Sequence, residues 1–222
     1  MKSTEQRIVG VMFVIGVLFL ASLFFNQSYT PPDNETIAPQ ITLPANKIQL
    51  PITCTIIVPE TILKSGSEIP GINVGAAPSP LSLQRPIGEM LSDSMVATAG
   101  YYFSDVRLAS RIEDVQGSDL IINLISWRFG TEDKDTGYNF VGLPMLVASG
   151  DAYTTLYVEM QVSGPNIPLF IITESAKGTQ HLNLALFPIS RLSLSMTESS
   201  DLAAAAVSKK VFDQIIQNSS LP

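Results

Sequence analysis

The sequence has very few of the residues that build most catalytic and metal sites. Among 222 residues there are one cysteine, Cys54, one histidine, His181, and one tryptophan. A single cysteine excludes an internal disulfide and zinc sites built on cysteine pairs, and a single histidine excludes the HExxH pattern. No P-loop, no GxGxxG after a strand and no GxSxG occurs. We therefore predict a non-enzymatic protein with no catalytic residue, no cofactor and no metal.

Charged residues are also scarce. They make up 15% of the chain, against about 25% in typical soluble domains. The 13 Lys and Arg and the 20 Asp and Glu give a net charge of -7. An acidic chain without a basic run repels polyanions, so we expect no nucleic-acid partner. The 45% share of hydrophobic residues excludes disorder of the whole chain.

The longest apolar run lies near the amino terminus. Residues 8–25 read IVGVMFVIGVLFLASLFF and carry no charge. Eighteen residues make about 27 Å of helix, which is enough to cross a hydrocarbon core. A cleaved signal peptide is the alternative, but the run is long for one and no AxA pattern follows it. We predict a single uncleaved transmembrane anchor, represented by Ile8, Val11, Phe13, Leu18 and Phe25.

Positive charges predict the orientation of this anchor. Lys2 and Arg7 precede the span, and no further Lys or Arg occurs before Lys47. This bias predicts a cytoplasmic tail at 1–7 and places the remainder across the membrane. Residues 26–47 contain four prolines and predict a semi-extended linker. In a bacterium, the chain would be a single-pass inner-membrane protein with residues 48–222 in the periplasm; in a eukaryote, they would face a lumen or the exterior.

The pattern of residues 48–222 predicts a domain of class α+β. Strands are expected at 48–58, with Cys54 in the core, and at 106–110 and 119–129. A hairpin is expected from 152–163 and 167–175, with its turn at 164–166. Helices are expected at 86–101 and 200–218, and a loop at 64–84. The fold class is thus a mostly antiparallel sheet with two main helices packed on it, preceded by one transmembrane helix.

Two apolar stretches are candidates for contact with a partner. Residues 140–148 contain Gly142 and Pro144, and we interpret them as a core loop or a docking flap. Residues 182–196 alternate around Pro188, which is typical of an edge strand. Burial in the core is the alternative for both stretches. The candidate partner-contact residues are Phe140, Val141, Leu143, Met145, Leu146, Leu182, Leu184, Leu186, Leu192 and Leu194.

Three other features have ordinary structural explanations. We expect His181 to be exposed or on an edge strand, with no carboxylate near it in sequence. The acidic segment 132–137, EDKDTG, lacks most of a calcium loop and predicts a solvated hairpin tip. Trp127 ends an apolar strand and is expected to be half-buried in the sheet.

The order of elements resembles a family of known proteins. IGEMLSDSMVATAGYYFSDVRLAS, then DLIINLISWRF, a hairpin and LAAAAVSKKVFDQIIQ are similar to periplasmic auxiliary lipoproteins. These include ABC-transport auxiliary components with a fold like the amino-terminal domain of TolB. The chain departs from them in its apolar anchor, which replaces a lipidated cysteine, and in residues 178–197. The resemblance implies a non-enzymatic accessory of an envelope complex and assigns no role to any residue.

The sequence leaves three hypotheses for function. The first is a membrane-anchored subunit of a bacterial envelope assembly for transport, secretion or surface structure, which binds other envelope proteins or itself. The second is a module that binds a lipid or small ligand, with residues 140–148 as a mobile lid. The third is an unrecognised hydrolase that uses scattered Ser and Asp residues.

Overall fold

The computed structural model describes residues 49–69, 81–130, 136–141, 148–184 and 189–218. The predicted anchor at 8–25, the linker at 26–47 and the acidic residues 132–135 lie outside this part of the chain. Within the described residues, none of the helices combines the length and the apolar character that a membrane span requires.

The described elements begin with β1 (Leu50–Ile57) and the short helix α1 (Glu60–Leu63). The two-residue strands β2 (Glu68–Ile69) and β3 (Leu81–Ser82) pair with each other inside the segment predicted as a loop. Helix α2 (Ile87–Tyr102) and strands β4 (Phe103–Ala109) and β5 (Leu120–Phe129) follow. The chain continues through β6 (Thr136–Val141), β7 (Ala148–Gly164), β8 (Ile167–Leu184) and α3 (Ile189–Asn218).

The main sheet has six strands and is mixed, so the predicted mostly antiparallel sheet is wrong. The strand β1 runs parallel to β4 on one side and to β5 on the other. The strands β5, β6 and β8 all pair antiparallel with β7. Parallel neighbours need a crossover connection, and α2 provides it between β1 and β4. The sequence order of one strand, one helix and one strand already contained this signal.

The strand β7 is long enough to pair with two strands on the same side. Its residues Leu156–Ser163 pair with β5, and Ser149–Thr154 pair with β6. On its other side it pairs with β8 along almost its whole length. Among the described residues, β4, β6 and β8 each pair with a single neighbour, so each has an unpaired edge. The predicted hairpin is confirmed, although both of its strands extend beyond the predicted ends.

The helices α2 and α3 cover one face of the sheet, which we call the helix face. This face includes Cys54, Ile122, Met160 and Ile172, all of them buried. Aromatic rings of Tyr102, Phe103 and Phe212 join the start of β4 to the second half of α3. The other face of the sheet, which points away from α2 and α3, is called the outer face.

The helix α3 begins well before the predicted residue 200. It starts at Ile189, directly after Pro188 in the sequence, so the predicted strand character of 189–196 is wrong. A proline is well tolerated at the start of a helix because the first backbone N–H groups have no helical acceptor. Alternation of Leu192, Leu194 and Met196 is therefore embedded in a helix, where Met196 is buried. Small and hydroxyl residues let this helix approach the sheet closely.

Gly178 is where α3 comes closest to β8. A β-carbon at this glycine would lie 2.0 Å from the carbonyl oxygen of Ser199 and 2.5 Å from the nitrogen of Ala203. Both contacts are with backbone atoms, which cannot rotate away as a side chain can. Next to it, the buried hydroxyl of Thr154 lies 2.8 Å from Ser199 Oγ and 3.1 Å from Ser200 Oγ. The start of α3 is thus held against the sheet by close packing and by hydrogen bonds.

Candidate functional site

The two residues with the best potential for chemistry are both explained by the fold. Burial of the Cys54 side chain raises its pKa to about 12, which keeps the thiol protonated and inert, as predicted for a core cysteine. His181 is exposed on β8, as predicted, and its Nδ1 lies 2.8 Å from Asp151 Oδ1. The carboxylate comes from the neighbouring strand, which sequence proximity could not show. No group of three or more potential metal ligands occurs among the described residues.

The outer face of β7 and β8 carries two cations stacked on tyrosines. Lys177 Nζ lies 4.3 Å from the centre of the Tyr153 ring, and Arg128 Cζ lies 4.7 Å from that of Tyr157. These contacts stabilise the sheet surface and cover one side of each ring. A stacking platform for a sugar or a base needs open ring faces, so this pair of tyrosines is a poor candidate for one.

A carboxylate cluster lies between α2 and α3 around Arg85. Arg85 forms a close ion pair with Asp93 and lies 4.0 Å from Asp201. Burial raises the pKa of the Asp201 carboxyl to about 6; Arg85 opposes this rise, and Asp93 and Glu198 add to it. We interpret this cluster as a structural contact between the helices.

The candidate interaction surface is the first part of β8. Leu169 and Ile171 lie on its outer face with 64% and 58% of their surface exposed, among the most exposed large hydrophobic residues of the described chain. Between Ile167 and Thr173 the strand has no charged residue. Exposed apolar side chains on a strand at the side of a sheet are typical of surfaces where another chain docks.

Further along β8, helix α3 covers the strand. Lys210 Nζ donates a hydrogen bond to the backbone carbonyl of Ser175 at 2.7 Å, and Gln214 bonds the carboxylate of Glu174. A lysine over a strand edge is a common device against pairing with other chains. The part of β8 before Glu174 has no such cover among the described residues. We therefore take the first part of β8 as the candidate docking surface.

The edge of the sheet at β4 also presents exposed apolar residues. Leu108 on β4 is 54% exposed, and Ile112, in the turn after β4, is 65% exposed. Next to Leu108, Arg107 forms an ion pair with Asp105 at 2.7 Å. Charged residues on an edge strand disfavour its pairing with another apolar strand. We therefore regard the edge of β4 as less favourable for docking than the first part of β8.

The structure distributes the predicted partner-contact residues over different elements. Phe140 and Val141 lie in β6, Leu182 and Leu184 in the last part of β8, and Leu192 and Leu194 in α3. The residues Leu143, Met145, Leu146 and Leu186 lie outside the described part of the chain, as do the anchor residues Ile8, Val11, Phe13, Leu18 and Phe25. Their role in partner contact stays a prediction.

Sequence analysis missed Leu169 and Ile171 as surface residues. They lie in the run IPLFIIT, which is apolar at both odd and even positions. Such a run is typical of a central strand that is buried on both faces. In this chain it forms a side strand, and its apolar residues on the outer face stay exposed. One signal was available in the sequence: the second strand of the predicted hairpin is apolar on both faces, so its outer face would be exposed if no further strand or helix covered it.

No protein-family model matches the chain, and no curated protein matches it. Solved structures show distant similarity. A DUF330 protein from Xanthomonas campestris is 11% identical, with 79% of this chain and 90% of that chain covered and a TM-score of 0.42. A minor lipoprotein from Acinetobacter baumannii is 7% identical, with 77% and 95% covered and a TM-score of 0.38. At these values the similarity assigns no role to any residue of this chain.

One of these similar structures belongs to the class that the sequence resembles, the lipoproteins. The Acinetobacter baumannii protein is a lipoprotein. The similarity to these two proteins does not extend to a TolB-like domain or to a role in ABC transport. These two finer parts of the resemblance stay predictions.

Proposed function

We propose that the chain is a single-span, membrane-anchored, non-enzymatic subunit of a bacterial envelope assembly. The apolar run at 8–25 is the anchor, and Lys2 and Arg7 keep the amino terminus in the cytoplasm. The domain at 48–222 lies in the periplasm, at the end of a proline-containing linker. It acts by binding protein partners in transport, secretion or surface assembly.

The observation that carries this proposal is the uncovered start of β8. Leu169 and Ile171 expose apolar surface in residues 167–173 of β8, which carry no charge, while α3 contacts the strand at Glu174 and Ser175. Because α3 contacts β8 after residue 173, a partner strand would dock at the part of the edge before it. The Cys54 thiol is buried and protonated, and exposed His181 contacts Asp151 of the neighbouring strand. Both observations agree with a role in binding rather than catalysis.

Photo-crosslinking in cells tests the proposal. A photoreactive amino acid replaces Leu169 in the full-length protein, and the adducts are identified by mass spectrometry. We expect protein adducts from the envelope at this position. The matched control is the same replacement at Leu108, which has similar exposure and lies in β4 at another edge of the sheet.

Two results would contradict the proposal. If Leu169 and Leu108 both give no protein adduct, β8 is not a docking surface. If Leu108 gives the adducts and Leu169 does not, the interaction surface is the β4 side instead. With the photoreactive group placed at Ile171 instead, a reduced yield of adducts after Leu169→Ser would support the assignment further.

A further inference from the structure

The direction of the backbone groups in β8 follows from one hydrogen bond. Lys210 lies on α3 and donates to the carbonyl of Ser175 at 2.7 Å. A carbonyl that bonds to this helix is directed away from β7. In an antiparallel strand, the N–H and C=O of one residue point to the same side, and residues two apart share that side. Ile171 and Thr173 therefore also direct their backbone groups to the uncovered edge.

The side chains of this segment are arranged almost symmetrically about Ile171. Leu169, Ile171 and Thr173 are all exposed, and each lies two residues from the next; the pairing of β8 with β7 shifts register between Ile167 and Phe170. On the helix face, Phe170 and Ile172 are both apolar and flank the same central residue. A strand of this composition is complementary to an antiparallel copy of itself.

On this basis we propose that the occupant of the uncovered edge is a second copy of the chain. The two β8 strands pair antiparallel about a twofold axis at Ile171, so that Ile171 faces Ile171 and Leu169 faces Thr173 of the other copy. This inference rests on the proposed function, since it identifies the partner at the same surface. It continues one sheet through both copies.

The charges near the segment agree with this register. Glu174 falls opposite Pro168 of the other copy, and Lys177 falls opposite Pro165. No like charges oppose each other, which would destabilise a cross-strand pair. The two prolines lack N–H groups and end the ladder, and Lys210 already occupies the carbonyl of Ser175. The pairing is thereby limited to about five residues of each copy.

A ladder of this length is a small interface. Stable interfaces in solution commonly bury about 1,600 Å² in total, and a few strand residues bury less. Two copies tethered to one membrane have a high effective concentration, so weak contacts suffice there. We therefore expect self-association in the membrane to exceed that of the same protein diluted in detergent.

Engineered cysteines in the full-length protein test the register. The variants I171C, L169C, T173C and L108C are made separately, and membranes are treated with copper phenanthroline and oxygen. The oxidant accepts two electrons from two thiols, which lose two protons as the S–S bond forms. The native Cys54 is buried and stays out of this reaction.

The expected pattern distinguishes self-pairing from chance collision. I171C forms a disulfide dimer with at least tenfold higher yield than L108C, because residue 171 lies on the axis. L169C and T173C each stay monomeric alone, since equal residues would lie about 13 Å apart along the strands. When L169C and T173C are co-expressed with different tags, they form a mixed dimer.

Three results would overturn the inference. These are a monomeric I171C, equal yields for I171C and L108C, or self-crosslinking of L169C. A monomeric I171C together with envelope adducts at Leu169 leaves the proposed function standing and replaces the second copy with another protein. Absence of both contradicts both proposals. I171K provides a further check: it keeps the thermal unfolding temperature but abolishes association, because it places like charges on the axis.

Discussion

At the scale of single residues, backbone proximity determines which changes the domain accepts. Gly178 illustrates this, because its α-carbon lies against the backbone of α3. From the sequence, this glycine belonged only to residues 178–197, where the chain departs from the family that it resembles, and its role could not be predicted. The sequence contains no sign of which helix residue approaches a given strand residue, since that distance depends on the packing of the whole helix.

We expect Gly178→Ala to destabilise the domain by about 2–4 kcal/mol. The added β-carbon would lie 2.0 Å from a carbonyl oxygen and force α3 away from β8. Urea denaturation of the purified protein measures the change. The control is Gly100→Ala in α2, where no atom lies within 4 Å of an added β-carbon and helix propensity favours alanine by up to about 1 kcal/mol. Equal stability of G178A and the wild type would contradict the close approach.

At the scale of elements, α3 is fixed to β3 and to the segment between β3 and α2 by polar contacts one helical turn apart. Ser193 Oγ donates to the carbonyl of Ser82 at 2.5 Å, and Thr197 Oγ1 accepts from the backbone N–H of Gln84 at 3.1 Å. Asp201, the next residue on this stripe, faces Arg85 at 4.0 Å. Ser193, Thr197 and Asp201 are four residues apart and so lie on one face of α3. Their contacts favour a helix over a strand in this segment, although its leucines alternate.

The Asp201 carboxyl makes this contact dependent on pH. Its pKa of about 6 in the folded state lies above the ordinary value of 3.8, so folding takes up a proton between these two values. The stability contribution is complete below pH 3.8 and is lost as pH rises through 6. Asp201→Asn should therefore stabilise the protein at pH 8 by about 1 kcal/mol after allowance for solvent screening, and have little effect at pH 4.

Urea denaturation of wild type and Asp201→Asn between pH 4 and pH 8 measures this difference. The control is Asp114→Asn, a change of an exposed carboxylate outside the cluster, which should stay within about 0.5 kcal/mol of wild type throughout. A variant that is less stable than wild type at pH 8 would show that the attraction to Arg85 exceeds the cost of burial.

Individual elements were more predictable than their boundaries. The strand around Cys54, the helix α2, the strand β5 and the hairpin of β7 and β8 were all found from periodicity and turn residues. Helix α1 and the first part of α3 were missed, because four residues give no period and Pro188 suggested an interrupted strand. The mixed sheet was missed because periodicity identifies a strand but does not identify its neighbours.

At the scale of the whole molecule, the proposal combines a tether with a partly open sheet. The tether is a prediction from the sequence alone, whereas the open surface is seen only in the structure. Leu169 and Ile171 could not be found in advance, because exposure on a side strand depends on the order of strands in the sheet. The anchor residues and most of residues 140–148 stay predictions.

Protease treatment of intact spheroplasts tests the orientation of the whole chain. We expect added protease to remove an epitope tag placed after Pro222 and to leave a tag before Met1 intact, because the proposal places residues 26–222 outside and the amino terminus in the cytoplasm. Disruption of the membrane should expose both tags. Protection of the carboxy-terminal tag in intact spheroplasts, or a mature chain that begins after residue 25, would contradict the tethered arrangement.

The long pairing of β7 with β8 also has a consequence for how the domain folds. Its partners are close in sequence around the turn at 165–166, whereas Cys54 on β1 must meet Leu120 on β5. Short loops close faster and at lower entropic cost than long ones. The hairpin can therefore form within microseconds as an early nucleus. Docking of the amino-terminal parallel strands is then the slow step, and it comes last although those strands leave the ribosome first.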